Sequence, residues 1–75
     1  MKIDDISSEL IIKVLNGKHI QEASLMTDVS VTTIYNLIHK RSRITKNNEI
    51  VIPVLLKMVK KEVENTVKLI QKIEI

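Results

Sequence analysis

The 75 residues include no Cys, no Phe and no Trp, and only one Gly, one Pro and one Tyr. Without Cys there can be no disulfide, thiolate metal site or Cys nucleophile, so stability must come from packing; the lack is compatible with a reducing compartment. One Gly leaves no glycine-rich loop to cradle a phosphate. The scarcity of Gly, Pro and aromatic residues also disfavours a sandwich of short strands and tight turns. No apolar run approaches the roughly 18 to 20 residues that span a bilayer. The opening Met1-Lys2-Ile3-Asp4-Asp5 is acidic where a signal peptide would be basic. These absences lead to the expectation of a cytoplasmic protein with no membrane partner.

A further absence is local, for no acidic residue occurs between Asp28 and Glu49, while Lys40, Arg41, Arg43 and Lys46 all lie there. Residues 1 to 28 carry a formal −2, residues 29 to 48 carry +4, and residues 49 to 75 carry +1. A cationic window of this kind is either a solvated face or the footprint of an anionic partner.

What is abundant is Ile, Leu, Val, Lys and Glu, the vocabulary of helices joined by short turns. Ile6, Leu10, Ile11, Val14 and Leu15 recur at three- and four-residue spacing. With Asp4 or Asp5 as cap and Asn16-Gly17 as a left-handed stop, they predict a first helix over about residues 5 to 16. Ile20, Ala23 and Met26 predict a short second helix, about residues 19 to 26, broken by Thr27-Asp28. Ser30 is a good N-cap for a third helix, about Val31 to Lys40, with Ile34, Leu37 and Ile38 as its apolar stripe. After a polar loop, a long fourth helix starts either at a cap on Asn47 or Asn48 or at Ile52-Pro53, since Pro53 fits only near a helix start. The expected architecture is all-α: a three-helix domain over residues 1 to 46, then a C-terminal oligomerisation helix over residues 47 to 75, in one compact unit.

Leu56, Val59, Val63, Val67, Ile70 and Ile73 step along that last helix, with Lys and Glu elsewhere. At 1.5 Å per residue the helix is roughly 30 to 40 Å long, more than three short helices can cover. Those six residues are therefore the expected interface of a homodimer or higher homo-oligomer. The alternative is a helix folded back to complete a monomer, and a different protein partner is the other candidate occupant of the stripe.

Gly17-Lys18-His19-Ile20-Gln21-Glu22-Ala23-Ser24-Leu25-Met26-Thr27-Asp28-Val29-Ser30-Val31-Thr32-Thr33-Ile34-Tyr35-Asn36-Leu37-Ile38 resembles the helix-turn-helix of small bacterial and phage regulators, and of resolvase-like and excisionase-like DNA-binding domains. The resemblance covers residues 10 to 40. It implies that Val29 plugs the space between two helices, Ser30 caps the second, Ile34 and Leu37 face inward, and small Ser24 permits close approach. Asp28 stands where those families prefer Gly, and His19 where Ser or Thr usually caps the first helix of the motif; Asp tolerates left-handed geometry better than most residues.

If the third helix enters a major groove, Ser30, Val31, Thr32, Tyr35 and Asn36 reach base edges, and Thr33, His39, Lys40, Arg41, Arg43 and Lys46 hold phosphates. Asn36 suits adenine, Val31 and the Thr32 methyl suit thymine methyls, and no Arg on the early reading face seeks guanine, so an A·T-rich duplex is the expected partner. The Lys, Ile and Asn content fits an A·T-rich bacterial or phage genome. His19 and His39 lack the partners of a metal site, and Glu62 and Glu64 sit among Lys residues where ion pairing is their ordinary use. The expectation is a non-enzyme without metal or cofactor: a dimeric, sequence-specific transcriptional regulator, acting for instance as a repressor. Alternatives are an adaptor or antirepressor working through the fourth helix, or a DNA-binding factor in packaging, recombination or replication.

Overall fold

The computed structural model describes residues 1 to 73, and among them are four helices and no strand. They are α1 (Asp5–Val14), α2 (Gly17–Thr27), α3 (Val31–Ile38) and α4 (Val51–Ile73), so three short helices precede a long one as the periodicity requires.

Each short helix is started by a side chain that satisfies its free amides. The Asp4 carboxylate accepts from the Ser7 N–H at 3.0 Å, and this bond holds its acid below the usual carboxylate range. Asn16 accepts from the N–H groups of Lys18 (3.0 Å) and His19 (3.3 Å). His19 returns the bond, its Nδ1 accepting from the Asn16 N–H at 3.1 Å. Asn16 is therefore the cap of α2 rather than part of a left-handed stop for α1; it is extended at φ −115°, and Gly17 has no positive φ. His19 does not occupy the cap position but completes a reciprocal capping box three residues in, which is why α2 begins earlier than its apolar spacing indicates. Ser30 caps α3 as expected, accepting from the Thr33 N–H at 3.1 Å.

The third helix stops at Ile38 rather than Lys40 because Lys40 turns left-handed at φ 62°. Its N–H reaches the Leu37 carbonyl (3.1 Å), and the Arg41 N–H reaches that of Asn36 (2.8 Å), the paired bonds of a Schellman ending. The loop that follows is organised by buried Asn48. Its Oδ1 accepts from the Thr45 N–H (2.8 Å) and its Nδ2 donates to the Arg43 carbonyl (3.1 Å). The Asn48 side chain thus ties the loop to itself instead of capping α4. Pro53 is the third residue of α4, where no earlier turn needs its missing N–H.

The core is formed by Ile3, Ile11 and Leu15, Ile20 and Ala23, Val29, Ile34, Leu37 and Ile38, and Val51, Leu55 and Val59. The first half of α4 therefore packs into the same core as the three short helices. Val59, expected at a seam between chains, is 6% exposed and belongs to this chain's own interior. On α1 the inward stripe is narrower than its spacing implied: Ile6 and Leu10 point outward, and Ser8 takes an inner place by donating its hydroxyl to the Ile38 carbonyl. At the crossing with α3 the fully buried small residue is Ala23, with Ser24 half-buried beside it.

The chain ahead of α1 is tied to the loop ahead of α4, where the Ile44 N–H donates to the Met1 carbonyl (2.6 Å), and at the far end of α1 Val14 lines a cavity with Val63 and Val67 of α4. The two helices run side by side in the same direction. On the opposite flank of α4, α2 packs so that His19 and Met26 share a groove with Val54 and Met58. There the His19 Nε2 lies 3.2 Å from Glu62 Oε1. Because Nδ1 already accepts the Asn16 amide, Nε2 carries the hydrogen and donates to Glu62.

Candidate nucleic-acid interface

The joint between α2 and α3 is made by four residues with separate tasks. Asp28 adopts φ 61°, ψ 13°, and its N–H returns to the Ser24 carbonyl at 2.9 Å. A left-handed Asp costs about 1 kcal/mol relative to Gly, less than for most residues because its short polar side chain tolerates the region. Thr27 donates its hydroxyl to the Ala23 carbonyl (2.7 Å) and accepts from the Val29 N–H (3.3 Å). Val29 is then buried between the helices, and Ser30 begins α3.

This joint leaves Ile34, Leu37 and Ile38 buried and only Thr32 and Tyr35 of α3 fully outward. Among the residues expected to read base edges, Thr32 and Tyr35 are exposed and Asn36 is half-buried with its carbonyl engaged in the Schellman turn. Tyr35 stacks on His39 one turn later, with centroids 6.3 Å apart and planes inclined by 18°. The Tyr35 hydroxyl lies over the start of α2, where a Cβ added to Gly17 would meet it at 3.6 Å, an ordinary contact. Val31 is half-buried against the core, leaving only part of its side chain outward.

Ser30 and Thr33 are occupied with each other. The Ser30 hydroxyl donates to Thr33 Oγ1 at 2.7 Å while accepting the Thr33 amide. Their first duty is to cap, although the Thr33 hydroxyl hydrogen keeps a free direction. Among the cations expected at phosphates, Arg41, Arg43 and Lys46 are exposed, whereas half-buried Lys40 is ion-paired with Asp5 at the start of α1. Lys40 thus serves as a turn former and an internal tie. Of the four cations in the sequence window, three are fully exposed, all on the loop that leaves α3.

Sequence reasoning did not identify Ser8, Asn48 and the Asn16–His19 pair as organising residues. Asn16 three residues before His19 was a readable capping pattern, once His is admitted in the place of Glu or Gln. Nothing local marks Ser8, because its partner lies thirty residues away.

On α4, Val63, Val67 and Ile70 are 46%, 46% and 49% exposed, and Leu56 and Ile73 are also outward. No group of His, Cys, Asp or Glu among the described residues has the arrangement of a metal site, and no helix among them is long and apolar enough to cross a membrane. Compared with family models, with curated proteins and with solved structures, the chain has no significant match in any of the three.

Proposed function

We propose that this chain is a sequence-specific double-stranded DNA-binding protein that reads the major groove with α3 and acts as a homodimeric transcriptional regulator. The observation that carries the reading is the α2–α3 joint. A left-handed Asp28, a buried Val29 and a capping Ser30 hold α3 with Thr32 and Tyr35 exposed and Asn36 half-buried, and the chain runs on from there into exposed Arg41, Arg43 and Lys46. A short helix presented this way, ending in a cationic loop, has the chemistry of base-edge contacts followed by phosphate contacts.

The division of labour follows from the donors available. Asn36 offers the donor–acceptor pair that matches adenine N6 and N7, and the Thr32 methyl suits a thymine methyl. Arg41, Arg43 and Lys46 supply affinity that falls with salt and carries little sequence information. Binding is therefore expected to favour A·T-rich half-sites, selected from a random duplex library and measured across a salt titration. Arg41→Ala and Arg43→Ala should each lower the salt slope by about one and weaken all duplexes alike. Asn36→Ala should cost about 1 to 3 kcal/mol of discrimination at one base pair. Absence of duplex binding at low salt, or affinity indifferent to salt, overturns the reading.

The exposed apolar residues of α4 favour one second reading, an adaptor or antirepressor that works through that helix. It differs in its sensitivity: activity would survive Arg41→Glu with Arg43→Glu and be lost on Val63→Glu. Roles in packaging, recombination or replication share the proposed DNA chemistry and differ only in where the bound site lies.

A further inference from the structure

The His19 ring is hydrogen-bonded at both nitrogens, and each bond belongs to a different part of the fold. Nδ1 accepts the Asn16 N–H at 3.1 Å, closing the capping box at the start of α2, and Nε2 faces Glu62 Oε1 of α4 at 3.2 Å. Imidazole has two neutral tautomers and one cation, and only the neutral form with its hydrogen on Nε2 makes both bonds. The other two set an N–H of the ring against the N–H of Asn16. The His19 side chain is 20% exposed, so most of the ring is enclosed between α2 and α4.

We propose that His19 is a proton-operated switch at the start of α2: on taking a second proton the ring gives up the Asn16 amide and keeps Glu62. The two bonds respond to that proton in opposite senses. A hydrogen on Nδ1 removes the lone pair that accepts the Asn16 N–H, whereas the Nε2 bond becomes one between a cation and a carboxylate, roughly twice as strong as a neutral one. Asn16 Oδ1 still accepts from the Lys18 and His19 amides, so α2 keeps that part of its cap. What is released is the Asn16 N–H, next to Leu15, where the chain turns from α1 into α2. Protonation thus loosens the joint between α1 and α2 while tightening the hold of α2 on the middle of α4.

The charge arrives among groups of both signs. To the groove beside His19, α2 contributes Lys18 and Glu22 and α4 contributes Lys57, Lys61 and Glu62, while α1 and α3 contribute no lining residue. Glu62 is the one carboxylate among the described residues that pairs with the ring, which is why the cation stays with α4 rather than following Asn16. None of these contacts involves α3, so the switch stands or falls apart from DNA binding.

NMR of the whole chain from neutral to mildly acidic pH tests the switch. At neutral pH the ring nitrogens should report a hydrogen on Nε2 and a bare Nδ1. As the ring protonates, the Asn16 amide proton should move upfield with the same midpoint as the His19 Cε1–H. The Glu62 carboxyl carbon should follow that midpoint, and the Lys18 and His19 amides should move less. In His19→Gln, where Gln at the same place can accept the Asn16 amide, the box persists and the pH response of that amide should be lost. A neutral ring with its hydrogen on Nδ1, or an Asn16 amide that stays still while His19 protonates, overturns the proposal. So does a His19→Gln protein whose Asn16 amide keeps the same titration.

Discussion

The two halves of α4 are written in the same language and meet different fates. Val51, Leu55 and Val59 step by four and are almost completely buried, while Val63 and Val67 continue the step and Ile70 the stripe, each about half exposed. The difference lies in what is opposite. α1 and α2 flank the first half, and α1 reaches only as far as the cavity that Val14 shares with Val63 and Val67. An apolar period states which face of a helix needs cover; the supply of neighbours decides whether one chain provides it.

Removing a side chain from each half is the most direct way to break this comparison. Leu55→Ala should cost about 2 to 5 kcal/mol, because a fully buried side chain leaves a cavity that its neighbours only partly fill. Denaturant unfolding should show the midpoint fall without loss of cooperativity. The equivalent truncation Ile70→Ala should change the unfolding of dilute protein by less than about 0.5 kcal/mol, since it empties no interior space. If both cost the same under dilute conditions, the distal half is packed in a way that its exposure contradicts.

The smallest expected effect concerns pH and the head alone. Asp4 has its acid lowered by the amide and hydroxyl of Ser7. A carboxyl lowered in the folded state stabilises above its unfolded value and loses that contribution as pH falls through the folded one. Acidification below the ordinary Asp range should therefore loosen the start of α1, and Asp4→Asn, an uncharged cap, should flatten this part of the pH profile. Hydrogen exchange of the Ser7 amide between neutral and acidic pH is the measurement; protection unchanged down to strongly acidic conditions would show that the bond does not depend on the charge.

Helix count, order and the turn into α3 were legible because they rest on local chemistry. Ser30, Val29 and the stripe of Ile34, Leu37 and Ile38 act within a few residues of themselves. Asp28 takes its left-handed turn within the same short span. What was not legible depends on distant partners: Lys40 looked like a free cation because Asp5 is far away in sequence, and Val59 looked like an interface residue because its neighbours come from elsewhere in the fold. Ile6 and Leu10 matched the period of α1 yet face outward, since Ser8 secures the inner position through the Ile38 carbonyl. Gly17 shows a different limit. Its type announced a left-handed stop, but nothing in its position requires Gly.

The Thr27–Ser30 joint has one more consequence, for the entropy of any encounter. The amides of Asp28 and Val29 are already engaged, and the Ser30 hydroxyl is closed onto Thr33. A ligand meeting α3 would find its seat already ordered and would have little backbone left to freeze. Arg41, Arg43 and Lys46, exposed on the loop beyond, retain their rotamers, and immobilising such long side chains costs about 0.5 to 1.5 kcal/mol each. The loss of freedom on association would then fall on the cationic loop, with α3 itself already rigid.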